Sequence, residues 1–94
     1  MATFALICFD KPNALALRMA NREAHFTYAK TTGAVRLAGP FLNDAGDMIG
    51  SLIILEAADL AAAQAWHEGD PYKLAGLFER VEIQPWRATF GELP

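Results

Sequence analysis

At 94 residues the chain is long enough for one small domain, expected to span 1–94, and a domain of that size buries only roughly 60–65% of its unfolded surface. Hydrophobic residues make up 53% of it against 20% charged, an apolar excess that points to a second buried surface, most simply a homodimer interface. Eight basic against eleven acidic side chains leave a formal charge of −3 without a basic patch, which argues against nucleic acid as a partner.

The lone cysteine, Cys8, excludes an internal disulfide and any multi-cysteine metal site. It lies in an apolar run, where a buried small hydrophobe is the expected role. Met1-Ala2-Thr3-Phe4 lacks the basic start of a secretory signal, and no apolar stretch approaches the ~20 residues that cross a bilayer. The expected setting is cytoplasmic, with no membrane partner.

Ala2 to Phe9 reads as a strand. Asp10-Lys11-Pro12-Asn13 opens a helix, with Asp10 or Asn13 as the cap, and Leu15, Met19, Arg22, Phe26 and Ala29 form its inward stripe. Thr31-Thr32-Gly33 ends it. Val35 to Phe41 is a second strand, and Asn43-Asp44-Ala45-Gly46-Asp47 turns it into a third from Met48 to Glu56. Asp59 opens an Ala-rich helix to Trp66, capped at its end by Gly69. Asp70 to Gly76 adds one helical turn, with Asp before Pro as its start signal. Phe78 to Trp86 is the fourth strand, with Val81 and Ile83 on one face and Glu82 and Gln84 on the other.

The order β-α-β-β-α-β is that of a ferredoxin-like α+β fold with a four-stranded antiparallel sheet. Two helices cover one face of such a sheet. Yet Phe4, Leu6 and Cys8 alternate with Ala5, Ile7 and Phe9, and Met48-Ile49 and Leu52 to Leu55 are likewise apolar on both sides. A homodimer joined through the open sheet faces is therefore expected.

There is no phosphate loop, dinucleotide fingerprint or nucleophile elbow. His67 falls in the last turn of the second helix, where a solvated imidazole suits the helix dipole, and no metal is expected. His25 lies at the border of the first helix's stripe, able to face a cleft between helix and sheet, although from composition a hydrogen-bonded structural histidine is the stronger expectation. Ser51 beside Gly50 offers a hydroxyl to a substrate oxygen, or a backbone bond. Gly39 admits a ligand close to the strand backbone, although a β-bulge there is the stronger expectation. Tyr72 and Trp86 are candidate pocket walls. Arg18, Arg22 and Arg36 are candidate anion contacts, although a solvated helix face accounts for Arg18.

Taken together, several blocks resemble one family. They are His25 and Tyr28 in the first helix, Ala38-Gly39-Pro40, Gly46, Gly50-Ser51, Glu56-Ala57-Ala58, Gly69-Asp70-Pro71-Tyr72, Ala75-Gly76-Leu77 and Ile83-Gln84-Pro85-Trp86. Their succession is similar to that of the YciI-like (YCII-related) family of small bacterial proteins, over nearly the whole chain. The resemblance implies a dimeric ferredoxin-like α+β barrel with His25 and Asp70 as catalytic residues. It also implies proton transfer, isomerisation or elimination on a small ring or carbonyl compound, without a cofactor. Ser51, Gly39, Arg22 and Tyr72 are the matching candidates for substrate binding. The alternative is a non-catalytic dimer that binds a metabolite or docks on a protein. Asp70 carries the decision between the two, as a cap only or as the partner of His25.

Overall fold

The computed structural model describes residues 1–93. In chain order its elements are β1 (Ala2–Asp10), α1 (Leu15–Thr32), β2 (Val35–Leu42), β3 (Met48–Ala57), α2 (Leu60–Glu68), α3 (Pro71–Leu74) and β4 (Phe78–Pro85). The strands form one antiparallel sheet in the order β2-β3-β1-β4, so the two most apolar strands are central. This is the ferredoxin-like α+β fold read from the sequence.

Strand alternation divides the side chains between two faces. Register pairs Phe4 with Leu55, Leu6 with Ile53 and Ile83, and Cys8 with Ser51 and Val81, placing all of these on one face. There they meet Ala63 and Trp66 of α2, with Tyr28 and Ala29 of α1 packed at the edge. The opposite face presents Ile7, Phe9, Leu37, Phe41, Leu52 and Ile54, and no element among the described residues covers it. Leu37 and Leu52 remain 51% and 37% exposed. The chain is thus apolar on both faces of its central strands, as the alternation implies, and its own helices cover only one.

The helix ends show where local chemistry decides. Asp59 caps α2, its side chain accepting the Ala62 N–H at 2.8 Å. Asp70 caps α3 in the same way, accepting from the Tyr72 N–H at 3.0 Å. For α1 the expected cap is absent. Its N-cap is Ala14 without a side-chain bond, because Asp10 is engaged elsewhere and Asn13 takes a left-handed turn at φ 56°. Gly33 closes α1 at φ 64°, the conformation glycine tolerates. Gly69 ends α2 with an ordinary φ of −91°, so its requirement is space. A Cβ there would stand 2.5 Å from the Tyr28 hydroxyl, which donates to the Trp66 carbonyl at 2.7 Å.

A further expectation about α1 is corrected. Leu15, Met19, Arg22 and Phe26 are exposed, and the inward stripe is Ala14, Arg18, Asn21, His25 and Tyr28. Each position is one residue earlier, a rotation of about 100°. The helix turns polar side chains inward because polar partners wait beneath it. Gly39 also differs from expectation. It pairs regularly with Leu52, and the irregularities of β2 fall between Val35 and Leu37 and between Phe41 and Leu42.

Candidate active site

His25 comes from the middle of α1 and Asp70 from the tight link between α2 and α3. The fold brings them together. His25 Nδ1 lies 2.8 Å from Asp70 Oδ1, with the residues 6% and 0% exposed. Asp70 Oδ1 also receives the Tyr72 N–H, so one oxygen caps α3 and orients the imidazole at once. A carboxylate only accepts hydrogen bonds, which places the proton on Nδ1 and leaves Nε2 as the basic nitrogen. The Tyr72 ring stacks on the imidazole with centroids 4.1 Å apart and planes 14° from parallel. That contact fixes the ring plane from a second direction.

Arg18 lies two helical turns before His25 on the same face of α1, and it is 3% exposed. It is not on a solvated face, as sequence suggested. Its guanidinium donates to Asp10 Oδ2 at 2.8 Å and Oδ1 at 3.0 Å, and a third bond goes to Ser51 Oγ at 2.8 Å. Its carbon head also stands 4.8 Å above the Tyr72 ring. Burial opposes the charge on Arg18, but the bonds and charge of Asp10 outweigh it and raise the pKa. Because Ser51 Oγ already accepts from Arg18, the hydroxyl proton is free for another acceptor. Burial pushes the Tyr72 hydroxyl up as well, so it stays a neutral donor at physiological pH.

These groups border a cavity of about 230 Å³ between α1, β2, β3 and α3. Arg18, Arg22, His25 and Phe26 form its helix side, Ala38-Gly39-Pro40 its strand edge, Met48, Ser51 and Ile53 its floor, and Tyr72 its end. All six sequence candidates, His25, Asp70, Ser51, Gly39, Arg22 and Tyr72, are therefore at this cavity or one bond behind it. Its charged lining is cationic, from Arg18 and Arg22. Arg22 has no carboxylate partner among the described residues and rests 5.0 Å over the Phe26 ring. A Cβ on Gly39 would meet nothing within 4 Å, consistent with open space above the strand.

Other candidates lie elsewhere. Trp86 does not line the cavity; its N–H closes the end of the sheet on the Thr3 carbonyl. Arg36 pairs with Glu56 on the surface at 2.8 Å. His67 is 6% exposed and not solvated, because α2 turns that edge onto β4, where the imidazole stacks near Phe78 at 5.9 Å. Burial there lowers its pKa against the opposing charges of Asp70 and Glu68. Cys8 is fully buried beneath the site, and burial above all pushes its thiol up to about 12, which makes it a poor nucleophile. Among the described residues no group of three or more His, Cys, Asp or Glu side chains is placed to hold a metal ion. Among the described residues no helix is long and apolar enough to cross a membrane. A larger depression of about 660 Å³ lies between α2, α3 and β4. It lacks the dyad and the arginine-serine network, so the smaller cavity is the candidate site.

Sequence reasoning missed Asp10, Phe26 and Met48 as parts of this site and set Arg18 aside in favour of a solvated helix face. Arg18 was recoverable from its seven-residue spacing to His25. The others are set by tertiary contact.

Fold and site together define a ferredoxin-like α+β domain with a buried histidine-aspartate pair behind a small cationic cavity. The chain belongs to the YCII-related family, whose domain matches residues 2–87. It is 34% identical to protein YciI of Escherichia coli over 96 aligned residues, covering 93% of this chain and 98% of that one. Among solved structures, it is similar to 5-chloro-2-hydroxyhydroquinone dehydrochlorinase from Burkholderia phenoliruptrix, in complex with 2,5-dihydroxybenzoquinone. That likeness has 31% identity and a TM-score of 0.81, over 90% of this chain and 93% of that one. An antibiotic biosynthesis monooxygenase shares 14% identity at a TM-score of 0.60, covering 95% of this chain and 99% of that one, a likeness of fold alone.

Proposed function

We propose that the protein is an acid-base enzyme in which His25, oriented by Asp70, moves a proton on a small ring or carbonyl compound, by isomerisation or elimination. The buried 2.8 Å contact between His25 Nδ1 and Asp70 Oδ1, at the wall of a cavity, carries this reading. His25 Nε2 takes the proton. For isomerisation it comes from an atom adjacent to a carbonyl, the electron pair released moves toward the carbonyl oxygen and the imidazolium returns the proton at another carbon. For elimination on the keto tautomer of a chlorinated hydroquinone the proton comes from a ring hydroxyl, a quinone carbonyl forms, and chloride leaves the saturated carbon that bore it. Negative charge that gathers on oxygen is met by the Arg22 guanidinium and by the Ser51 hydroxyl, whose proton Arg18 leaves free. A cavity of about 230 Å³ suits one substituted ring. The likeness to a dehydrochlorinase supports elimination as the reaction to try first.

The enzyme is proposed to act as a homodimer joined through the open sheet faces. The support is an apolar surface around Leu37, Phe41 and Leu52 that no helix or strand among the described residues covers. Sedimentation is expected to show a dimer at micromolar concentration, and a well-folded monomer there would remove this part of the proposal.

The catalytic test offers the purified protein 5-chloro-2-hydroxyhydroquinone and measures chloride release. Wild type is expected to turn it over, and His25→Ala to be at least about a hundredfold slower while remaining folded. A folded His25→Ala protein that releases chloride at the wild-type rate would overturn the assignment. Binding of 2,5-dihydroxybenzoquinone without turnover of the chlorinated compound would instead favour a non-catalytic binding module.

A further inference from the structure

Two buried side-chain atoms among the described residues lack a hydrogen-bond partner: Asp70 Oδ2 and His67 Nδ1. Their residues are three positions apart in the link between α2 and α3, where the Asp70 N–H donates to the His67 carbonyl at 3.0 Å. An orphaned carboxylate oxygen in a fully buried residue is costly, and so is an orphaned ring nitrogen. One is an obligatory acceptor and the other can be a donor. The rest of the His67 ring borders the depression between α2 and β4, on the far side of Asp70 from the catalytic cavity.

We propose that His67 is a positioning residue for the dyad. Its Nδ1–H donates to one internal water, and that water donates to Asp70 Oδ2. The carboxylate is then gripped from both sides, by His25 and the Tyr72 N–H at Oδ1 and by the water at Oδ2. A single water satisfies both orphans, as internal waters in polar sites do. With both oxygens engaged the carboxylate cannot swing, so the direction in which it presents His25 is fixed. Phe78, stacked on His67, holds the second imidazole in turn. The arrangement rests on the proposed role of His25 and Asp70, but its tests need no substrate. A failure here is thereby separate from a failure of the chloride-release assay.

Nitrogen NMR of the wild-type protein at neutral pH is expected to show His67 as the Nδ1–H tautomer. Finding the proton on Nε2 would overturn the proposal, whether or not any variant folds. The second measurement is solvent exchange of the His25 Nδ1 proton. His67→Phe keeps a ring against Phe78 but removes the donor, and exchange is expected to quicken roughly two- to tenfold. His67→Asn, whose amide nitrogen reaches the position of Nδ1, is expected to restore near-wild-type exchange. A folded His67→Phe protein with unchanged exchange, or a His67→Asn protein as fast as His67→Phe, would equally overturn it.

Discussion

Helices α1 and α2 lie on the same face of the same sheet, yet they bury opposite chemistry. Toward the sheet α2 turns Ala63 and Trp66, which join Phe4, Leu55 and Ala57 in an ordinary apolar core. Helix α1 turns Arg18 and His25 inward and leaves Met19 and Phe26 about half exposed. The difference lies in the sheet beneath. Under α2 it offers hydrocarbon, whereas under α1 it offers Asp10 and Ser51, and Asp70 arrives from the α2–α3 link. One end of the sheet face is spent on stability and the other on holding charged groups in fixed positions.

The largest effects should come from emptying each half. Trp66→Ala is expected to cost about 3–5 kcal/mol by urea denaturation, from lost burial and the cavity left behind. Arg18→Met is expected to cost a similar 3–5 kcal/mol for a different reason, since it strands the nearly buried Asp10 carboxylate. The two are told apart by a second substitution. Adding Asp10→Asn to Arg18→Met removes the stranded charge and should recover a large share of the loss. If the double variant is as unstable as the sum of its parts, Arg18 is not buried for the sake of Asp10.

Next in size is a change that spares the fold but not the site. Asp70→Asn keeps a good N-cap for α3, so stability should fall by less than about 1 kcal/mol. The amide oxygen that keeps the cap still accepts from His25 Nδ1–H but carries no negative charge to stabilise the imidazolium formed when Nε2 takes a proton, and turnover should fall at least about a hundredfold. Equal and small effects on both would return Asp70 to the role of a cap.

How much of this contrast was legible in the sequence follows from its physics. Strand order, the hairpin, the Asp59 and Asp70 caps and the two-faced apolar strands all rest on local alternation and turn chemistry, and a sequence carries these openly. The inward face of α1 was misread because amphipathic reasoning turns hydrocarbon toward the core. That assumption fails where partners from distant positions make a polar face the buried one. Ser51 is 33 positions from Arg18 and Asp70 is 45 from His25, outside any local window. Pairing His25 with Asp70 came from family resemblance, and His67 was placed in solvent because a helix-end histidine usually is. Only the packing of β4 against α2 shows otherwise.

A smaller effect is expected with pH. The pKa of His67 is lowered in the folded protein, chiefly by burial, with Lys73 acting in the same direction and Asp70 and Glu68 against it. As pH falls through the ordinary histidine value of about 6.5, the unfolded chain binds a proton that the folded chain refuses. Stability contributed by this group is therefore full at neutral pH and declines with acidification, until pH passes below the folded pKa. Urea midpoints measured from pH 7.5 down to 5.5 should fall, and His67→Phe should flatten that slope. An equally steep slope in the variant would assign the acid sensitivity to other groups.

The smallest effect on stability, and the sharpest on the site alone, belongs to Arg22. It is exposed, without a carboxylate partner among the described residues, and at the mouth of the cavity. Arg22→Gln keeps the first three carbons of the side chain and a polar head, and should change stability by no more than about 0.5 kcal/mol. What it removes is the one cationic side chain lining the cavity that no acid neutralises among the described residues, since Asp10 already balances Arg18. Affinity for an anionic ring such as ionised 2,5-dihydroxybenzoquinone should drop, and the drop should shrink as salt is added, because an exposed charge acts through screened water. A neutral ring of the same size should bind both proteins alike. Should the neutral ring lose as much affinity as the anion, Arg22 contributes its hydrocarbon against Phe26 and not its charge, and the cationic character of the cavity would rest on Arg18 alone.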